Sequence, residues 1–120
     1  MFPATITLTV NTVAKVLNRV NQDNYGSEYQ HNGATESFNL KIRHTNDSRD
    51  GDGIIMKRHN IFVEHVVYPT PTTALQKSTY TTTLRHGEYD GPGPSVDLGK
   101  ALNAWLATGT NFADIGAGIN

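Results

Sequence analysis

The sequence contains no cysteine, and this absence removes three kinds of chemistry. The chain can form no disulfide, bind no metal through thiolates and use no cysteine nucleophile. Its apolar runs fall short of the roughly 20 residues that a membrane-spanning helix requires. Its first residues lack the basic segment and the long apolar segment of a secretory signal peptide. We therefore expect a soluble protein with no membrane partner, made in the cytoplasm.

A large net charge is also missing, because 10 Lys and Arg residues face 11 Asp and Glu residues, for a net charge of −1. This balance excludes a basic tail, so any binding of nucleic acid must arise from local placement of charge. The chain also lacks a glycine-rich phosphate-binding loop, and we expect no cofactor. Its 120 residues are enough for one hydrophobic core. We predict a single domain over residues 1–120.

Alternation of polar and apolar residues indicates strands over most of the chain. Asn11 and Thr12 form a plausible two-residue turn between the first two of these strands. The strand region covers 4–87 and comprises a hairpin over 4–22, a short strand over 28–31, and strands over 38–45, 54–68 and 77–86. The polar stretch 46–53 is a predicted loop.

Helical periodicity begins only after this region. Apolar residues recur at helical spacing at Leu98, Ala101, Leu102, Trp105 and Leu106. The pattern predicts a helix over about 95–108, with Ser95 as its N-cap, and a second short helix over 111–116. Strands followed by helices indicate an α+β fold, in which two C-terminal α-helices pack on one face of an antiparallel sheet.

The basic residues are concentrated in the strands. Four strand-like segments, 13–22, 37–45, 54–63 and 77–87, hold eight of the ten Lys and Arg residues and no Asp or Glu. This distribution predicts a basic sheet with an acidic rim, which suits a polyanion, although an ordinary solvated sheet face would look similar. The candidate RNA-binding residues are Lys41, Arg43, Lys57, His59, Lys77, Thr79, Thr81, Thr83 and Arg85.

The tetrad Lys57-Arg58-His59-Asn60 requires a choice, because alternate residues of a strand point to opposite faces. Only one pair can join the basic face, and we favour Lys57 and His59. Arg58 and Asn60 would then lie at an interface or at the edge of the sheet.

Metal binding and catalysis receive little support. Asp47, Asp50 and Asp52 are weak candidates for calcium, but their spacing does not match an EF-hand loop, and a solvated turn explains them as well. The five histidines show no zinc-binding spacing. A nuclease that uses His59 or His86 as acid and base is conceivable, yet only the residue types suggest it. We therefore predict that the chain is not an enzyme.

The apolar stripe of the predicted helix has two interpretations, a core contact or a dimer contact. A helix of about 13 residues is only about 20 Å long. A broad sheet is easier to cover when two chains share their helices. We therefore predict a homodimer interface at Leu98, Leu102, Trp105 and Leu106.

The sequence resembles the coat proteins of single-stranded RNA bacteriophages, the levivirus-like group, and within it those of Caulobacter-infecting phages. The resemblance is carried by Ala14-Lys15-Val16-Leu17, Asn21-Gln22-Asp23, Ser27-Glu28-Tyr29, Arg43-His44-Thr45, Arg58-His59-Asn60, Arg85-His86 and Asp97-Leu98-Gly99, which occur in this order. It implies an N-terminal β-hairpin, a sheet of about five antiparallel strands and two C-terminal α-helices, with two chains interlocked as a dimer.

The resemblance also implies a function. Dimers of such proteins assemble into an icosahedral shell, and the inner face of the sheet binds single-stranded genomic RNA. Some members repress replicase translation by gripping an RNA hairpin, and some place calcium between subunits. The alternative that the residues leave open is a stand-alone β-sheet RNA-binding module that forms no shell.

Overall fold

The computed structural model describes residues 2–119 as an antiparallel sheet followed by two helices. The strands are β1 (Thr5–Val10), β2 (Val13–Asp23), β3 (Gly26–Asn32), β4 (Glu36–Arg49), β5 (Ile55–Val67) and β6 (Gln76–Gly87). The helices are α1 (Gly93–Leu106) and α2 (Asn111–Gly116). The predicted α+β class and the order of the elements are confirmed.

Each strand pairs with the next one along the chain, so the sheet has the order β1-β2-β3-β4-β5-β6. The N-terminal hairpin is therefore part of a single six-stranded sheet and not a separate unit. The predicted turn between its strands is confirmed: Val10 pairs with Val13, and Asn11 and Thr12 have φ values of 50° and 69°. Positive φ at both central residues is the geometry of a type I′ turn, which suits the twist of a hairpin.

The sheet curls, and its core lies in the concave side of the curl. Leu17 and Tyr29 are fully buried and cluster with Phe38 and Leu40. Leu17 on β2 can join this cluster only because the hairpin folds back over β4, since β2 and β4 are not neighbours in the sheet. Lys15 shows the same curl through its ion pair with Glu36 on β4, with 2.6 Å between Nζ and Oε1.

The first helix begins earlier than its sequence pattern predicts. Pro92 occupies the N-cap position, whereas Ser95 lies inside the first turn and donates its hydroxyl to the carbonyl of Arg85 at 2.6 Å. The prediction that Ser95 caps the helix is therefore wrong, because its hydroxyl ties the helix to β6 instead. No helix within residues 2–119 is long and apolar enough to cross a membrane.

Candidate nucleic-acid and subunit interfaces

The strand register divides the sheet into two faces. Residues directly opposite each other on antiparallel strands point to the same side. One side, here called the helix face, includes Tyr80, whose ring lies 5.7 Å from that of Phe112 on α2. The other side carries no helix within residues 2–119 and is called the open face.

The open face collects most of the predicted basic patch. Lys41 pairs with Phe62 and Phe62 with Thr81, while Arg43 pairs with Asn60 and Asn60 with Thr83. The predicted residues on this face are Lys41, Arg43, Lys77, Thr79, Thr81, Thr83 and Arg85. The register thus brings seven of the nine candidates together, and their role in binding RNA stays a prediction.

The other two candidates lie on the wrong side. Lys57 and His59 are paired with Asn46 and His44, which belong to the helix face together with Ile42. The expectation that Lys57 and His59 join the basic patch is therefore wrong. Their neighbours Arg58 and Asn60 point to the open face in their place. No signal in the sequence resolved this choice, because Ile61, Phe62 and Val63 are all apolar and hide the period of the strand.

The predicted separation of a basic sheet from an acidic rim is also wrong. Glu28 lies inside β3, Glu36 and Asp47 lie on β4, and Glu64 lies on β5. The four basic segments stop short of Glu36, Asp47 and Glu64, and they leave out the short strand that holds Glu28. Strands in fact continue through these positions, because a charged side chain on an exposed face does not end a ladder.

Two of these acids, together with Asp23 at the end of β2, pair with cations of the predicted patch. Arg43 pairs with Asp23 at 2.9 Å, Lys77 lies 4.0 Å from Glu64, and Arg85 is bonded to Asp47. The backbone N–H of Tyr25, followed by the Arg43 guanidinium, holds the pKa of Asp23 below its ordinary value. Within residues 2–119, Lys41 and Arg58 are the open-face cations of β4 and β5 that have no carboxylate partner.

A row of hydroxyls beside these cations is held in place by one amide. Asn60 donates through Nδ2 to the hydroxyls of Thr81 and Thr83, each at 3.0 Å. Phe62 follows Asn60 on the same face and places a half-buried aromatic ring between Lys41 and Thr81. Cations, hydroxyls and an aromatic ring are the groups that contact the phosphates, sugars and unpaired bases of RNA.

A row of three histidines crosses the helix face on neighbouring strands. Nδ1 of His44 lies 2.8 Å from Nδ1 of His59, whose Nε2 lies 3.0 Å from Nε2 of His86. Burial, followed by the charges of His44, His86 and Lys57, lowers the pKa of His59. His59 directs its two ring nitrogens to opposite neighbours, so the three rings do not converge on one point as metal ligands would.

The calcium candidates have other partners. Asp47 bonds to Arg85, and Oδ1 of Asp50 accepts the backbone N–H groups of Asp52 and Ile54 at 2.9 Å each. Across residues 2–119, no group of three potential ligands is arranged to hold a metal ion. A calcium ion shared between subunits remains a prediction.

Three of the four residues of the predicted dimer stripe on α1 are exposed. Leu98, Leu102 and Trp105 are 73%, 57% and 54% exposed, whereas Leu106 is only 8% exposed. The side chain of Leu106 is thus already buried within its own subunit and leaves little surface for a partner, and the interface stays a prediction. Tyr80, Phe112 and Ile115 extend the exposed apolar surface around the helices.

Comparisons with known proteins agree with this architecture. The protein family described as "Phage phiCb5, coat protein" matches residues 3–87, which span all six strands. No curated protein sequence matches the chain significantly. Among solved structures, the bacteriophage EMS014 coat protein has a TM-score of 0.70 and 21% identity, over 88% of this chain and 74% of that one.

A chain from the solved virus-like particle of bacteriophage AVE019 has a similar fold over nearly the whole length of both chains. It has a TM-score of 0.68 and 12% identity, and the match covers 100% of this chain and 98% of that chain. At such identities the two structures establish the shared fold, and the sequence family establishes the relationship. The chain thus belongs to the phage phiCb5 coat protein family and is a structural, non-enzymatic protein of a phage particle.

Proposed function

We propose that the chain forms a homodimer, that dimers build an icosahedral shell, and that the open face binds the single-stranded RNA genome inside. The observation that carries the dimer is the excess surface of the subunit. Its accessible area is 8625 Å². A compact monomer of 13.1 kDa exposes about 6,400 Å². The subunit therefore exposes roughly a third more surface than a compact monomer of the same mass.

Two features support a particular surface for the proposed second copy. β6 is the last strand of the sheet and its outer edge is unpaired within residues 2–119, so another β6 can extend the ladder. The exposed stripe of α1 and the sheet enclose a cleft of about 620 Å³, lined by Ile61, Tyr80 and Leu84. An apolar helix from the partner fits this cleft, and the pair then covers the side chains that one subunit leaves exposed.

Charging the stripe tests the dimer. We expect Leu98→Lys combined with Leu102→Lys to convert the dimer to a monomer, because each lysine would have to be buried at the interface. Sedimentation measures the mass. Val13→Lys combined with Val20→Lys is the matched control, since both valines are 52% exposed and lie on the hairpin. A dimer that survives the α1 change would contradict this interface.

The family and the proposed dimer both support shell formation. The relative from bacteriophage AVE019 is a virus-like particle, and its fold covers this entire chain. We propose that this chain is made in the cytoplasm of the bacterial host and ends in the virion. Electron microscopy of the expressed protein distinguishes shells that contain RNA from the alternative, a stand-alone RNA-binding module that remains a dimer.

The RNA site is proposed around Lys41 and Arg58, the open-face cations that have no carboxylate partner within residues 2–119, with the hydroxyl row and Phe62 beside them. Cations that are already paired with carboxylates contribute less to RNA binding, because a phosphate would have to displace the carboxylate. A dimer presents four unpaired cations from these two positions, and about 0.7 counterion is released for each phosphate contact on a single strand. Affinity should then fall about 50-fold between 50 and 200 mM salt.

The two faces of β5 supply a matched test of this site. We expect Lys41→Ala combined with Arg58→Ala to weaken RNA binding at least tenfold in a filter-binding or anisotropy assay, with the dimer intact. The matched pair of single changes is Arg58→Ala and Lys57→Ala: each removes one positive charge from β5, and only the Lys57 change, on the opposite face, should leave affinity unchanged. Equal losses in the two variants would show that charge alone, and not the open face, governs binding.

Translational repression would use the same face. An RNA hairpin at the replicase start, held on the open face, would be sequestered from the ribosome. A reporter gene behind the genomic replicase start should be repressed by the coat protein and released by the Lys41 and Arg58 changes. Repression that survives both changes would place the hairpin elsewhere.

A further inference from the structure

The hydrogen bonds of His86 fix the proton positions of the whole histidine row. Nδ1 of His86 lies 3.1 Å from the carbonyl oxygen of Gly87 and 3.0 Å from that of Asp90. Carbonyl oxygens only accept, so this nitrogen must carry the proton. In the neutral row, Nε2 of His86 then accepts from Nε2 of His59, and Nδ1 of His59 accepts from Nδ1 of His44.

This arrangement limits how many protons the row can hold. Each of the two contacts between rings needs one bare nitrogen, so four of the six ring nitrogens can carry a proton while both hydrogen bonds persist. The neutral row already has three. One added proton is therefore accommodated, on His59 or on the outer nitrogen of His44, but a second forces two N–H groups against each other at about 3 Å.

The surroundings do not compensate for a second positive charge. Besides the histidines of the row, the charged and titratable groups that line the cavities on either side of it are Asp23, Tyr25, Arg43, Lys57, Tyr80, Arg85 and Lys100. Four of these are cations, and Asp23 is already paired with Arg43. The carboxylate of Asp90 lies beside Gly87 in the turn that bonds to His86. Apart from Asp90 at the His86 end, the cavities beside the row therefore offer no unpaired carboxylate to offset repulsion between protonated rings.

The row is connected to the helix that carries the proposed dimer surface. His86 holds the Gly87–Asp90 turn through the two carbonyls, and α1 begins at Gly93, only a few residues later. His44 and His59 also line the cleft beneath Leu98 and Leu102, into which the partner helix would fit. Breaking the row would therefore displace the start of α1 and place charge under the interface at the same time.

We propose that His44, His59 and His86 form an acid-sensitive latch, which tolerates one proton and, on taking a second, releases the turn before α1 and loosens the contact between subunits. The proposal rests on the dimer proposed above. The direction of the pH effect agrees with the lowered pKa of His59. Because the pKa of His59 is lowered in the folded protein, the unfolded or released state binds a proton more readily. The folded state is therefore favoured above the ordinary histidine pKa of 6.5, and this stability is lost as the pH falls below it.

Dissociation as a function of pH tests the latch. Dimer mass would be followed by light scattering from about pH 7.5 to pH 5, a range that brackets the ordinary histidine pKa. We expect the wild type to dissociate in this range. The neutral variant His59→Gln should dissociate at a midpoint about one unit lower or not at all. His31→Gln is the control, because His31 lies on the same face but bonds to the carbonyl of Val16.

A second readout does not depend on assembly or on any variant. Nitrogen NMR of the wild-type rings should show protons on Nδ1 of His86, Nε2 of His59 and Nδ1 of His44 at neutral pH, and two separated steps on acidification. Three independent titrations near the ordinary value, or unchanged dissociation of the His59 variant, would overturn the latch. A monomer at pH 7.5 would refute the dimer, whereas the ring titration would still test the row.

Discussion

At the scale of single residues, stability depends on a small core. Leu17 is fully buried among Tyr29, Phe38 and Leu40, while its neighbour Val16 points outward and is 45% exposed. We expect Leu17→Ala to lower the free energy of unfolding by about 2–5 kcal/mol, because it removes packed methyl groups and leaves a cavity. Val16→Ala is the control and should change it by less than about 0.5 kcal/mol. Denaturant titration measures both, and similar values would contradict the assigned core.

A glycine on β3 supplies a second prediction at this scale. A Cβ on Gly26 would lie 2.0 Å from the carbonyl oxygen of Ile42, which is backbone and cannot move aside cheaply. We expect Gly26→Ala to destabilise the fold by about 1–3 kcal/mol. Gly51→Ala, where nothing lies within 4 Å, should be close to neutral in the same thermal unfolding assay. A neutral Gly26 variant would mean that β3 and β4 are less closely paired than described.

At the scale of elements, one carboxylate joins three strands. Glu36 on β4 accepts from Lys15 on β2 at 2.6 Å and from His65 on β5 at 2.9 Å. Lys15, followed by His65, lowers the pKa of Glu36 below its ordinary value of 4.5. Because the folded state favours the ionised carboxylate, Glu36 contributes to the stability of the fold above pH 4.5. This contribution is lost as the pH falls further.

Removing this charge should therefore flatten the acid side of the stability profile. We expect the melting temperature of the wild type to fall more steeply than that of Glu36→Gln as pH decreases from about 5 to about 3. The two profiles should differ most above the ordinary pKa, where only the wild type has the ion pair. Parallel profiles over this range would show that Glu36 does not clamp the hairpin to the sheet.

Elements were easier to predict from the sequence than faces. Alternation and turn residues located the strands and helices, because local periodicity reports local structure directly. The face on which each residue of β5 lies was not predictable in the same way, since apolar residues lie on both faces of this strand. Only its register with β4 shows that Lys57 and Arg58 point to opposite faces. Ion pairs such as Arg85 with Asp47 join residues far apart in sequence, and no local pattern announces them.

At the scale of the whole molecule, the subunit is more extended than a compact domain of the same length. Its radius of gyration is 17.1 Å, compared with about 14 Å for a compact domain of this length. If folding and pairing are coupled, dilution must favour the unfolded chain. We expect the melting temperature to rise with protein concentration, and the Leu98 and Leu102 lysine variant to lose this dependence. Calorimetry over a hundredfold concentration range would show either result.

The strictly sequential sheet has a consequence for synthesis on the ribosome. Every strand pairs with the one made just before it, so the ladder can grow in the order of translation, with few long loops to close. The edge of β6 and the two helices follow the first five strands in the chain. If two copies pair as proposed, a chain on the ribosome would gain the surfaces for its partner only after the first five strands of the sheet had been made, which would separate folding from assembly in time and keep neighbouring chains on one messenger from joining prematurely.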